Sequence, residues 1–202
     1  MSEKFPVYVF NTETVETKRY RCKTYFFLAA GFKDILFLSS LDLTGINIIY
    51  YDINPDSIDL KKWEFEFWDG EKQTLYNKIK TKGYNYCLSD LGYVPKSEFP
   101  KLSMRDQFEH SWKIEVEKWG SNEEFKKAFF KIKNHSDKQF IILDISKDFE
   151  KLSNILNTSE EPIYFWYSNC FEFDHNKTTP EMKLQFLDII KKSEKKIYIN
   201  GS

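Results

Sequence analysis

Gly31 and Asp52 are the two residues whose types and spacing point most directly to a ligand site. Gly31 closes the small-residue run Ala29-Ala30-Gly31 after one strand-like segment, and Asp52 ends the next such segment, Ile46–Tyr51. Small residues let a backbone approach a ligand closely, and the following helix offers unpaired N–H groups to an anion. An acid about 20 residues after such a turn can accept hydrogen bonds from ribose hydroxyls. The spacing therefore predicts that Ala29, Ala30, Gly31 and Asp52 bind a nucleotide-like ligand.

Both features also have a purely structural explanation. A tight strand-to-helix turn requires small residues even without a ligand, and the chain contains no G-x-G-x-x-G run. Asp52 lies shortly before Pro55, where a helix is expected to begin, so its carboxylate could cap that helix. The sequence leaves both explanations open for Gly31 and for Asp52.

Polar residues also follow two later strand-like runs. Asp144 comes after Phe140–Leu143, and Asn169 follows the aromatic run that ends at Tyr167, with His175 a little further along. Ligands of open α/β sheets bind beyond the carboxyl ends of the strands, where such side chains can orient a substrate or transfer a proton. We predict Asp144, Asn169 and His175 as catalytic residues. The structural alternatives are capping or salt-bridging at a strand end for Asp144, turn hydrogen bonds for Asn169 and a solvated loop position for His175.

Other kinds of chemistry find little support in the residues. A nucleophile pair of Cys170 and His175 has no flanking motif. The three histidines and three cysteines lack the close ligand spacing of a zinc site, so no metal site is predicted. Lysine-rich stretches at 126–138 and 191–196 lie on or after predicted amphipathic helices, which favours solvated helix faces.

The elements that would position these residues follow from alternating hydrophobic patterns. Strands are predicted near 24–28, 46–52, 139–145, 162–168 and 196–199, with a further edge strand at 6–10. Helices are predicted near 32–43, 55–68, 148–157 and 180–190. Apolar runs without polar alternation are typical of strands that are covered on both faces. The pattern predicts an α/β fold with a doubly wound, mostly parallel sheet in the order 3-2-1-4-5 and flanking helices.

The middle of the chain, residues 71–134, has mainly helical periodicity and is predicted as a helical insertion or cap. Helical spacing predicts that Trp112, Val116 and Trp119 face inward. A short strand at 84–88 and a proline-containing loop at 93–100 are predicted between the helices. Limited proteolysis is expected to begin around residues 93–102.

Composition sets the broad class. A chain of 202 residues suits one domain, and its 30 basic and 31 acidic side chains argue against nucleic-acid binding by bulk electrostatics. No apolar run is long enough to span a membrane, and the first residues lack a signal-peptide core. Three scattered cysteines favour reduced thiols and a cytoplasmic location. Because the chain ends directly after its last strand-like run, a longer native polypeptide with a neighbouring domain is a further expectation.

The segment from Phe26–Gly31 to Ile48–Asp52 resembles the first two strands of class I S-adenosylmethionine-dependent methyltransferases, which have a Rossmann-type fold. The resemblance covers residues 24–70. It implies that the Gly31 loop cradles the methionine moiety of S-adenosylmethionine and that Asp52 holds the ribose. It also implies methyl transfer to an unidentified acceptor, oriented by the catalytic candidates at the strand ends.

A second hypothesis comes from the single glycine and the absence of an acid in Thr24–Gly31. On this hypothesis the chain is a non-catalytic, degenerate Rossmann-like module that binds or scaffolds within a larger protein or assembly.

Overall fold

The computed structural model describes residues 7–10, 20–82, 103–168, 170–171 and 178–201. Its elements are β1 (Thr24–Leu28), α1 (Lys33–Leu38), β2 (Asn47–Asp52), α2 (Pro55–Glu66), α3 (Lys72–Lys82), α4 (Met104–Glu117), α5 (Asn122–Lys133), β3 (Lys138–Ile142), α6 (Phe149–Thr158), β4 (Ile163–Trp166), α7 (Pro180–Lys192) and β5 (Ile197–Asn200). The chain groups into two compact units, one of residues 1–16, 30–41 and 59–135 and the other of residues 17–29, 42–58 and 136–202.

The second unit contains the sheet, and its topology is the predicted one. The strand order is β3-β2-β1-β4-β5, and every pair of neighbours runs parallel. The central strand β1 is apolar on both faces, and Tyr25, Phe26 and Phe27 are all buried. Such a strand cannot lie at a solvated edge without exposing large apolar side chains, so its composition selects the middle of the sheet. The α/β fold class and the strand order are confirmed.

One face of the sheet packs against α6 and α7. Phe26 stacks on Phe165 with 4.8 Å between ring centroids, and Phe186 of α7 lies 5.6 Å from Phe165. Leu152 and Leu156 of α6 complete this core and are fully buried. Helical spacing of these apolar residues therefore creates the stripe that covers the strands.

The first unit has an aromatic core around Trp68. This side chain is fully buried, and its ring lies 5.5 Å from Phe32 and 4.7 Å from Phe129 of α5. Two lysines of the predicted solvated stretch bind backbone carbonyls here. Lys131 Nζ donates to the carbonyl oxygens of residues 39 and 41, and Lys133 Nζ donates to that of Trp68. These cations satisfy backbone carbonyls in the segments that directly follow α1 and α2.

The described parts of the middle region, 71–82 and 103–134, contain helices α3, α4 and α5. Trp112 is buried as predicted, while Val116 and Trp119 are only half-buried. The predicted strand at 84–88 and the loop at 93–100 lie outside the described residues. The assignment of one domain with a helical insertion at 71–134 stays a prediction.

Several element boundaries differ from the predictions. The helix predicted at 32–43 ends at Leu38, where the hydroxyl of Ser39 donates to the Leu36 carbonyl. Local side-chain-to-backbone bonds of this kind compete with continuation of a helix. The β-rich run at 6–10 has an isolated bridge at Val7 instead of a strand in its described part. Across the described ranges, none of the helices has both the length and the apolar character needed to cross a bilayer.

Candidate functional site

Asp52 is the last residue of β2 and shapes the turn that leads into α2. Its Oδ1 accepts a hydrogen bond from the Asn54 amide at 2.8 Å, and Asn54 Oδ1 accepts one from the Asp56 amide at 2.9 Å. Asn54 therefore caps α2, and Asp52 stabilises the turn before the cap. Asp52 therefore has a structural role in the turn that precedes α2, but the residue that caps the helix is Asn54.

The Asp52 carboxyl group is buried, and burial raises its pKa to about 7. The backbone amide of Asn54 opposes this shift by donating to the charged form. Both protonation states are therefore populated near neutral pH. The oxygens of a carboxylate at a strand end can accept hydrogen bonds that hydroxyl groups donate, such as the two hydroxyls of a ribose diol.

Ala29 lies at the same edge of the sheet as Asp52. Its amide donates to the Tyr51 carbonyl at 2.9 Å, and the preceding Leu28 pairs with Tyr51 in the parallel register. The structure therefore brings two of the predicted ligand-binding residues, Ala29 and Asp52, to the carboxyl ends of neighbouring strands. A small side chain at Ala29 fits a site where a ligand contacts backbone.

A residue with a strained backbone, Ser168, lies just beyond the carboxyl end of β4, the strand that pairs with β1. Between β1 and β4 the strand order changes direction, which is where open α/β sheets bind ligands. Ser168, just beyond β4, is buried and has a φ of 54°, a left-handed conformation that costs an L residue about 1–2 kcal/mol. Strain of this kind clusters at binding sites, so Ser168 joins Ala29 and Asp52 as a candidate site residue.

The ends of β4 and β5 are closely packed beside this position. A Cβ atom at Gly201 would lie 2.1 Å from the Tyr167 ring, so only glycine fits there. The hydroxyl of Tyr51 donates to the Trp166 carbonyl at 2.8 Å and joins β2 to β4 across β1. These contacts hold the strand ends rigidly, as a binding site requires.

Asp144 is engaged within its own loop. Its Oδ1 accepts hydrogen bonds from the Ser146 amide at 3.0 Å and hydroxyl at 2.5 Å, and its Oδ2 lies 3.4 Å from Lys147 Nζ. The ion pair with Lys147 matches the salt-bridging that was the structural alternative for Asp144. The other two catalytic candidates, Asn169 and His175, lie outside the described residues.

Gly31 and Ala30 belong to the first unit, where the backbone groups of Gly31 are occupied by the chain itself. The Gly31 amide donates to the Tyr8 carbonyl at 3.1 Å, and its carbonyl accepts from Lys61 Nζ at 2.6 Å. Its φ of 59° requires glycine for conformational reasons alone. The Gly31 backbone therefore has the structural role that the sequence left open. Ligand binding by Ala30, Gly31 and Asp52 stays a prediction.

A buried group of charged side chains in the first unit, Lys61, Asp34 and Glu64, was not predicted from the sequence. Lys61 Nζ lies 3.5 Å from Asp34 Oδ1 and 3.2 Å from Glu64 Oε2, and these side chains are 1–4% exposed. The ammonium group also lies over the rings of Phe32, at 5.5 Å, and Phe65, at 5.7 Å. The only local signal was the i, i+3 spacing of Lys61 and Glu64, which is common on exposed helices.

Electrostatics couple these three groups. Burial raises the pKa of Glu64 to about 7, and the attraction of Lys61 opposes that rise. Burial lowers the pKa of Lys61, but Asp34 and Glu64 outweigh burial, so its pKa lies above the ordinary value. The ammonium group remains charged and is enclosed, which suits a structural ion cluster better than a nucleophile.

No protein-family model, curated protein or solved structure matches this chain. Within the described ranges, no group of three or more His, Cys, Asp or Glu side chains has the arrangement of a metal site.

Proposed function

We propose that the sheet unit binds the nucleoside part of S-adenosylmethionine at the carboxyl ends of β1 and β2 and that the chain is methyltransferase-like. The observation that carries the proposal is Asp52, a buried carboxyl group at the end of β2 in a sheet of order β3-β2-β1-β4-β5. Asp52 would accept hydrogen bonds from the ribose hydroxyls, while Ala29 leaves room for close backbone contact. Bound S-adenosylmethionine would supply an activated methyl group.

The chain's own contribution to methyl transfer would be positioning and exclusion of water. Asp144, Asn169 and His175 remain the candidates for orienting the acceptor. Asp144 could take this role only by exchanging its bonds to Ser146 and Lys147 for bonds to the acceptor. The scattered cysteines support a reducing compartment such as the cytoplasm.

A non-catalytic module is the second candidate function, and the Gly31 turn favours it. Both backbone groups of Gly31 have intramolecular partners, so the methionine moiety would lack the loop contact that the resemblance implies. Such a module would serve a neighbouring domain or a protein partner.

Calorimetric titration with S-adenosylmethionine and S-adenosylhomocysteine distinguishes the two candidates. Binding of either ligand to the wild type supports the first, and no heat or stabilisation by either supports the second. At a pH above the pKa of Asp52, where its carboxylate is ionised, Asp52→Ala is expected to weaken binding by about 10- to 150-fold, because a hydrogen bond to a charged group contributes about 1.5–3 kcal/mol. Asp56→Ala, which removes an acid in the first turn of α2, is the matched control and should bind normally. Tight binding that Asp52→Ala leaves unchanged contradicts the site, provided that circular dichroism shows equal folding.

A further inference from the structure

The buried cluster of Lys61, Asp34 and Glu64 has no role in the proposed nucleoside site. It lies wholly within the first unit and joins two helices, since Asp34 is on α1 and Lys61 and Glu64 are on α2. Burying charge is costly unless it is paired, so a cluster of three such groups needs a physical account.

Lys61 is also the residue that holds the Gly31 turn. Its ammonium donates to the Gly31 carbonyl at 2.6 Å, shorter than either of its ion-pair distances to Asp34 and Glu64. On its other side, the Gly31 amide donates to Tyr8. Whatever alters the position of the Lys61 ammonium therefore alters the anchoring of this turn.

We propose that Lys61, Asp34 and Glu64 form a proton-controlled latch on the Gly31 turn, closed when Glu64 carries a proton and loosened when Glu64 ionises. The charge count gives the reason. With Glu64 protonated, one ammonium faces one carboxylate and the buried cluster is neutral. With Glu64 ionised, one ammonium faces two carboxylates, and the cluster holds an uncompensated negative charge in a site lined by aromatic rings.

The groups that surround Glu64 agree with this charge count. The charged groups facing it are Lys61 on its own helix and Asp34 on α1, which also carries the buried Lys33. From α5, the Phe129 ring stacks against Phe65 at 6.0 Å. Also on α5, Lys133 lies over the Phe129 ring and donates to the Trp68 carbonyl.

The sign of the pH dependence follows from linkage. Burial raises the pKa of Glu64 from 4.5 to about 7 in the closed state, whereas an opened cluster would return it towards 4.5. The closed state therefore binds the proton more tightly, and opening becomes easier as pH rises from about 4.5 to about 7. Between these two pH values the equilibrium constant for opening rises at most tenfold per pH unit, and above about pH 7 it stays constant. The latch does not depend on whether Asp52 binds a nucleoside.

Hydrogen exchange of the amides of residues 30–41, corrected for intrinsic rates, measures the opening between pH 5 and 8. Wild type is expected to open at least tenfold more at pH 7 than at pH 5. Glu64→Gln should abolish this rise and remain closed at pH 7. Glu66→Gln, an exposed acid on the same helix, is the matched control and should retain the rise.

Asp34→Asn gives a second, independent test. Because the Asp34 charge raises the pKa of Glu64, its removal should move the midpoint of opening to lower pH. Equal opening of the wild type at pH 5 and pH 7 would overturn the latch. So would a rise that persists in Glu64→Gln, or a midpoint that Asp34→Asn leaves in place.

Discussion

Replacing Lys61 by methionine tests whether the buried charge cluster stabilises the first unit. Methionine has a similar length and leaves little cavity, so the main effect is to remove the cation from between Asp34 and Glu64 and the donor from the Gly31 carbonyl. Breaking a buried ion pair by removing one partner costs about 3–5 kcal/mol. Glu64 can take up a proton near neutral pH because its pKa is about 7, which places the expected loss towards the lower end of that range.

Urea unfolding followed by tryptophan fluorescence measures this loss. Four of the five tryptophans, at positions 63, 68, 112 and 119, lie in the first unit, so the signal reports mainly on it. A loss of about 3 kcal/mol corresponds to a fall in Tm of about 6–12 °C for a chain of this size. Lys62→Met, at the exposed neighbouring position, is the control and should stay within about 0.5 kcal/mol of wild type.

A rescue experiment separates lost pairing from lost packing. Adding Asp34→Asn and Glu64→Gln to Lys61→Met removes the unpaired carboxylates and should restore most of the lost stability. The reasoning is refuted if Lys61→Met behaves like Lys62→Met, or if the triple variant is no more stable than the single one.

Two further predictions concern other positions. Gly70→Ala should lower Tm more than Gly120→Ala. Both glycines have a positive φ, of 75° and 81°, so both substitutions strain the backbone. A Cβ atom at Gly70 would also lie 3.2 Å from Lys126 Cγ, whereas a Cβ atom at Gly120 would have no neighbour within 4 Å. Equal or reversed losses in thermal unfolding would contradict this ranking. Burial raises the pKa of Asp52 from 3.8 to about 7, so the native state binds this proton more tightly than the unfolded state and stability should fall as pH rises from about 4 to 7. Asp52→Asn should reduce that fall in urea titrations at several pH values, and an unchanged pH dependence would show that the group is not protonated in the folded chain.

The fold could be predicted in detail because its signals are local. Runs such as Thr24–Leu28 and Ile163–Trp166 are apolar on both faces, and only a strand covered on both sides can bury them. Once such strands alternate with helical periodicity, right-handed parallel crossovers leave few arrangements, and the observed order is among them. Helix lengths were less predictable, since the end of α1 is set by Ser39 and by a lysine of the distant helix α5.

The candidate site was only partly predictable, because only some of its features depend on the local sequence. The position of Asp52 at a strand end follows from the local pattern, and so does its proximity to Ala29. Its burial, which moves its pKa to about 7, depends on what covers the strand end. Ser168 gave no local signal of its left-handed backbone, because a serine is compatible with many turns.

By itself, the sequence determined the parallel sheet, the place of its strands and the carboxylate at the end of β2, because hydrophobic periodicity and turn residues act over a few positions. The tertiary structure alone decided that the Gly31 backbone is bound by Tyr8 and Lys61, and that Lys61, Asp34 and Glu64 share one buried site. Apart from the i, i+3 pair of Lys61 and Glu64, these contacts join residues about 20 to 30 positions apart, and their energies depend on burial. A lysine and two acids have the same local pattern in water or in a core, and only the fold determines which environment they occupy.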